Sequence, residues 1–314
     1  MKPSPQWKTI AQYNLGVIYH EGIGVPRNYK IAVKWWKRVA EQGVADAQYI
    51  LGKLYLEGRG VPQDGKMAVK WWSLAAEQGL AEAQYSLGVA YHDGLILPQD
   101  DKRAVKWWKL AAGQGGGEAQ YNLALSYHEE RGVPQDDKMA VKWCALSAEQ
   151  GHVRAQYLLG SMHSKGRGVP QNDKMAMKWW SLAAEQGFAD AQYNLGGMHH
   201  DGHGVPQDHK TAVKWWKLAA EQGFASAEYN LGVMSRDGLG VPQDDESAAK
   251  WWKLAAEQGD VEAQYALALA HHEGRGVSQD DKSAMKWLRL AVDQGDAEAL
   301  RFLDWLSAMA TEEK

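Results

Sequence analysis

Apolar and small residues recur along this chain at helical spacing, in pairs of short stretches. Over residues 83–91, Ala83, Leu87 and Tyr91 fall at i, i+4 and i+8, with Gly88 beside the stripe. Over 104–111, Ala104, Trp107, Trp108 and Ala111 occupy i, i+3, i+4 and i+7, a second core-facing band. The period-two alternation of a half-buried strand is absent. Small residues such as Ala83, Gly88, Ala104 and Ala111 let two backbones approach, while paired tryptophans fill the space between them. The pattern predicts an antiparallel hairpin of a first helix, A, and a second helix, B.

The hairpin repeats. Tyr13, Tyr49, Tyr85, Tyr121, Tyr157, Tyr193, Tyr229 and Tyr265 each lie 36 residues after the one before, and Trp35, Trp71, Trp107, Trp143, Trp179, Trp215, Trp251 and Trp287 keep the same step. No residue is inserted or deleted between the first marker and the last. A constant period of this length means one supersecondary unit stacked on its neighbours. The repeats fall at 6–43, 44–79, 80–115, 116–151, 152–187, 188–223, 224–259 and 260–295, followed by a capping helix over 296–309 and a short tail, 310–314. Length alone would suggest about two domains of roughly 150 residues. An array in which each unit touches only its neighbours is expected instead to form one continuous domain.

Local punctuation agrees with the hairpin. Gly94 is suited to end helix A in the left-handed conformation, Pro98 cannot continue it, and Asp100 is a natural cap for helix B. Asp260 and Asp296 can cap the helix A that follows. Val44, Leu80, Phe188 and Phe224 at that phase cannot, and are expected to pack between units.

The recurring segments Ala-Gln-Tyr-Asn-Leu-Gly (191–196), Gly-x-Gly-Val-Pro-Gln-Asp (202–208) and Ala-Val-Lys-Trp-Trp-x-Leu-Ala-Ala-Glu-Gln-Gly (212–223) resemble the Sel-1-like repeat. The resemblance covers almost the whole chain and recurs about eight times at fixed offsets. It implies an all-α, right-handed α/α solenoid, a superhelix of seventeen helices related to tetratricopeptide repeats. It also implies an adaptor or scaffold whose A helices line a concave, partner-binding surface.

Composition narrows the function classes. The 314 residues are 45% hydrophobic and 24% charged, which argues against disorder, and the formal charge of −4 gives no general reason to bind nucleic acid. No apolar run approaches the roughly 20 residues needed to cross a bilayer. Met1–Ile10 holds Pro3, Pro5 and Lys8 without an apolar core. The chain as given therefore reads as cytoplasmic, with a periplasmic or secreted location open if a signal peptide has been removed. The single Cys144 excludes an internal disulfide framework, unlike cysteine-rich members of the resembled family.

Several repeats depart from the pattern. Trp7 is expected to replace the contact of a missing earlier repeat. Leu95-Ile96-Leu97 stands where other loops carry a central glycine, which predicts an exposed apolar tip. Gly113-Gln114-Gly115-Gly116-Gly117 offers either a hinge or a tighter turn, because each glycine weakens a helix by about 1 kcal/mol. Repeat four carries Glu130 for the loop glycine and Cys144 for the second tryptophan, a core phase that favours a buried, inert thiol. Repeat eight carries Ser278 and Leu288 at the proline and second-tryptophan phases.

Three sets of residues could carry chemistry. His20, His92, His128, His200 and His272 share one phase at the end of helix A, and His199, His200 and His203 lie together as a weak metal-site candidate. A zinc site needs three or four ligands, so no metal and no cofactor is expected. A lysine ladder (Lys34, Lys70, Lys106 and their equivalents) precedes each first tryptophan, and reads as a solvated face whose stems cover apolar surface. The third set is the outward stripe of helix A, where the repeats differ most: Asn14, Lys53, Ser86, Asn122, Leu125, Leu158, Asn194 and Asn230 are the candidate partner-binding residues. Asparagine amides can hold a peptide backbone while apolar neighbours sort its side chains.

Nucleotide-binding loops, nucleophile elbows and His-Glu-x-x-His are missing, so a non-enzymatic, monomeric protein with a protein or peptide partner is expected. The alternatives from other classes are a metal-binding protein or hydrolase built on the histidines, and a structural component that self-associates. Leu110, Leu146, Leu182 and Leu218 form an apolar row that is either a lateral contact or extra core.

Overall fold

The computed structural model describes residues 5–312; Pro3 and the last two residues of the expected tail lie outside them. Among the described residues there are seventeen α-helices and no strands. Helices α1 (Pro5–Glu21) and α2 (Tyr29–Ala40), α3 (Ala45–Glu57) and α4 (Gly65–Glu77), α5 (Ala81–Asp93) and α6 (Asp101–Gly113), and α7 (Gly117–His128) and α8 (Asp137–Glu149) pair as the first four A–B hairpins. Next come α9 (Val153–Lys165) and α10 (Asp173–Glu185), then α11 (Ala189–Asp201) and α12 (His209–Ala220). The last are α13 (Ala225–Asp237) and α14 (Asp245–Glu257), α15 (Val261–Glu273) and α16 (Asp281–Asp293), and the lone α17 (Ala297–Glu312). The closing helix thus runs through most of the expected tail. Helix-forming residues, Ala310 among them, follow Met309 without a breaker.

The chain packs as two compact units. The first comprises the described residues up to Ala155 together with Arg167–Val169, and the second Gln156–Gly166 with the described residues from Pro170 on. Within each, the same devices recur. Every helix B starts at an extended Asn or Asp, and the side chains of Asp64, Asp100 and Asp208 accept the backbone N–H groups of Met67, Arg103 and Thr211. Each cap residue's own N–H donates to a carbonyl of helix A, as Asp100 does to Tyr91 at 2.8 Å, so one residue closes the loop at both ends. Asp260 caps α15, whereas Phe188 and Phe224 pack on Tyr157 and Tyr193 of the preceding repeat, with ring centroids 5.1 and 5.0 Å apart.

The core is a close approach of glycine and indole. In six repeats the second tryptophan packs directly against a helix-A glycine, as Trp108 does on Gly88 and Trp216 on Gly196. In the two repeats that lack this tryptophan the glycine is alanine: buried Ala124 accompanies Cys144, and buried Ala268 accompanies Leu288. A smaller side chain on helix B is thus matched by a larger one on helix A. The Cys144 thiol is fully buried and donates to the Ala155 carbonyl at 3.1 Å, as expected for an inert core residue.

A glutamine ladder joins successive hairpins. Buried Gln48, Gln84, Gln120, Gln192 and Gln264 each donate to a helix-B carbonyl of the preceding repeat, and each accepts a hydrogen bond from the glutamine ending its own helix B. The glycine-rich junction at 113–117 keeps this pattern. Gln114 Nε2 reaches Gly79 O at 2.9 Å and Gln84 Oε1 at 2.8 Å, and the Ser147 hydroxyl donates to Gly117 O.

Two loop features carry predictions. Glu130 is the one described non-glycine residue with positive φ (59°), at the phase where Gly58 and Gly94 end their helices. Its Cβ crowds the following carbonyl. Glu130→Gly is expected to raise stability by about 1 kcal/mol, read as a higher melting temperature.

Second, the loop glycines Gly60 and Gly132 press against the start of helix B in the preceding repeat, at Tyr29 and Asp101. Repeat three reverses the pairing: Ile96 replaces the glycine and faces Gly65, where other helices carry a larger first residue. The apolar tip is therefore only partly exposed as expected, with Leu95 88% exposed and Ile96 half-buried. Gly65→Asp should cost roughly 1–3 kcal/mol by overpacking, and adding Ile96→Gly should recover most of it in a double-mutant cycle. Trp7 corrects another expectation, because at 68% exposed it covers little of the first hairpin.

Candidate binding grooves between successive A helices

Neighbouring A helices leave a groove between them whose floor is the second tryptophan. In the second unit one such groove, ≈ 390 Å³, is lined by Trp180, Trp216, Asn194 and His200 on one side and Asn230 and Met234 on the other. In the first unit its counterpart of ≈ 270 Å³ holds His20, Trp36, Ile50, Lys53 and Arg59. Counting in steps of 36, Trp36 and Trp216 coincide, as do Ile50 with Asn230 and Leu54 with Met234. A third, ≈ 460 Å³, repeats the same phases with Trp252, Ala266, Ala270 and Arg275.

The candidate stripe is thus divided. Asn194 and Asn230 are brought together in one groove, and Lys53 lines another, its ammonium 5.9 Å from the Tyr49 ring centroid. Asn14 is exposed on α1, and Leu125 and Leu158 are half-buried. The Ser86 hydroxyl donates back to the Glu82 carbonyl at 2.9 Å. Asn122 lies beside the Tyr85 side chain, whose phenol is held above its ordinary pKa first by burial and then by Glu118.

The histidines at the end of helix A pack against neighbouring rings and carboxylates. His20, His92 and His200 pack on Trp36, Trp108 and Trp216 with ring centroids 5.3–5.4 Å apart. His92, His128 and His272 meet Asp101, Asp137 and Asp281 through Nδ1 at 2.7–2.8 Å. In repeat six that aspartate is His209, whose ring lies 5.0 Å from His200. The suggested trio does not converge: His203 is exposed, with Asp201 as its nearest acid at 3.9 Å, and among the described residues no group of three His, Cys, Asp or Glu is placed to hold a metal. Burial lowers the His163 pKa, consistent with a packed neutral ring.

Sequence reasoning missed the tryptophan floor and the tyrosines. The repeated tyrosines mark the period, yet they are half-exposed on the groove side and belong to its surface. Constancy alone did not mark them as surface, because the fully buried row that includes Leu51, Leu87, Leu123 and Leu267 is equally constant.

Helical hairpins in strict register, joined by capped turns and open between their A helices, define an α/α repeat protein of the solenoid class. The Sel1 repeat model matches residues 9–44, 45–80, 81–116, 117–152, 153–188, 189–224, 225–260 and 261–296, and the chain belongs to the Sel1 repeat family. Members are generally protein-interaction scaffolds and typically non-catalytic.

Among solved structures, the chain is similar to a protective antigen of uropathogenic Escherichia coli displaying an SLR fold, with 38% identity and a TM-score of 0.90 over 94% of this chain. It spans 63% of that protein's length. It is also similar to a Sel1 repeat protein from Oxalobacter formigenes, with 36% identity and a TM-score of 0.73, over 96% of this chain and 87% of that one. No curated protein matches the chain. No helix of the described residues is long and apolar enough to cross a membrane.

Proposed function

We propose that this protein is a non-enzymatic adaptor that holds an extended peptide segment of a protein partner against its A helices. The observation that carries this reading is the groove holding Asn194 and Asn230, with an indole floor and a volume of ≈ 390 Å³. An apolar floor with a few polar groups at its edges suits an extended ligand, because backbone amides pair with asparagine while side chains enter the hollow. Charge narrows the partner. Asp201, Asp237, Glu262 and Glu273 are exposed along α11, α13 and α15; Arg236 pairs with Asp237 at 2.7 Å and Arg275 with Glu273 at 3.0 Å, which leaves an acidic excess at Asp201 and Glu262. A segment bearing lysine or arginine is favoured.

Selection from a displayed random-peptide library tests this. The selected peptides are expected to carry basic residues and to bind more weakly as salt rises. Asn194→Ala with Asn230→Ala should weaken binding about tenfold, or roughly 1.4 kcal/mol, measured by fluorescence anisotropy with circular dichroism as the folding control. Equal binding by wild type and variant would count against the grooves.

A further inference from the structure

We propose that the helix-B face of the second unit is a self-association surface whose occupant is a second copy of this chain. Leu182, Leu218, Leu254 and Leu290 sit at one phase on α10, α12, α14 and α16, and remain 37%, 42%, 46% and 39% exposed. They are therefore not extra core. Single exposed leucines are ordinary on a protein surface; four at one phase on successive B helices make a row, and Leu74, Leu110 and Leu146 repeat that phase in the first unit.

The charges beside the row select the occupant. Four residues before each leucine stands an exposed lysine: Lys178, Lys214, Lys250 and Lys286. Three residues after it stands an exposed acid: Glu185, Glu221, Glu257 and Asp293. On a helix these positions share the leucine's face. The surface thus reads as a basic row, an apolar row and an acidic row. An antiparallel two-fold pairing lays leucine on leucine and each lysine row against the other copy's acidic row, the self-complementarity an isologous interface requires. A uniformly basic or acidic partner would match one charged row and be repelled by the other.

Existing pairs do not block this. Lys250 lies 2.6 Å from Glu246 and Lys253 3.8 Å from Glu257, all four side chains more than half exposed, so these intrahelical pairs are weak and free to exchange. The surface is distinct from the grooves, and either can fail without the other.

Sedimentation equilibrium of the full chain tests the proposal. The mass is expected to rise from 34.9 kDa toward twice that value with concentration. Leu218→Lys with Leu254→Lys should hold it at the single-chain value with the helical circular dichroism unchanged. Two charge variants make the test specific. Lys214→Glu with Lys250→Glu, and separately Glu221→Lys with Glu257→Lys, should each be monomeric alone and should dimerise when mixed. A wild type of single-chain mass throughout, leucine variants that associate equally well, or a mixture that stays monomeric would each overturn it. Capture of an unrelated protein on the row, with no self-association, would also overturn it.

Discussion

Gly88→Ala is expected to destabilise the third hairpin by about 2 kcal/mol, although alanine is the better helix former by about 1 kcal/mol. A Cβ at Gly88 would fall far inside contact distance of both Cδ1 and Nε1 of Trp108. Overpacking of a close-packed core costs about 1–3 kcal/mol and occasionally more, and here neither group has room to yield. The indole is 3% exposed, and Gly88 sits in the middle of α5. Trp108→Leu alone should cost roughly 3 kcal/mol through the cavity it leaves. Together the two changes recreate the Ala268 and Leu288 pair of repeat eight. The double variant should therefore lose less than the sum of the single losses by at least about 1 kcal/mol. Hydrogen exchange of the α5 and α6 amides would measure this locally, which suits an array whose repeats need not unfold together. Strictly additive losses would refute the compensation.

Glu228→Gln is expected to stabilise the protein near neutral pH by about 1–3 kcal/mol, the usual cost of a buried polar group without its partner. Glu228 is 4% exposed and occupies the rung where other repeats carry glutamine. It accepts a hydrogen bond from Gln258 at 2.7 Å, but as a carboxylate it has no hydrogen for the carbonyl its counterparts bond. Burial pushes its pKa up, and Asp260 adds to this, partly offset by the Gln258 bond. The sign follows. The folded state binds this proton more tightly than the unfolded chain, so stability is greatest below the unfolded pKa of about 4.3 and is lost as pH rises through the folded value. Asp260, also raised first by burial, acts in the same direction. Denaturant unfolding of wild type and variant from acid to neutral pH should show their difference widening as pH rises. A constant difference would mean the carboxylate is not the cause.

The hairpin was legible because Tyr13 through Tyr265 and Trp35 through Trp287 keep one step, and because glycine, proline and aspartate mark its turns with local chemistry. The interlocking was less legible. Gly88 and Trp108 stand twenty residues apart, and only the hairpin's geometry shows that one is small because the other is large. The Gly65 and Ile96 exchange crosses repeats in the same way. Leu182 and its equivalents could be read as core or surface because a helical stripe has no sharp edge; their exposure in the fold places them outside. Of the candidate stripe, Asn194 and Asn230 reached one groove. Ser86 bonds a carbonyl of its own helix and Asn122 lies beside Tyr85, which residue type alone could not foretell.

Hydrogen–deuterium exchange with a selected basic peptide bound tests the central claim most directly. Binding between the A helices predicts slower exchange across Tyr193–His200 and Tyr229–Arg236, with the exposed B-helix stretch around Leu218 unchanged. Protection confined to the B helices, or spread evenly over the chain, would contradict it.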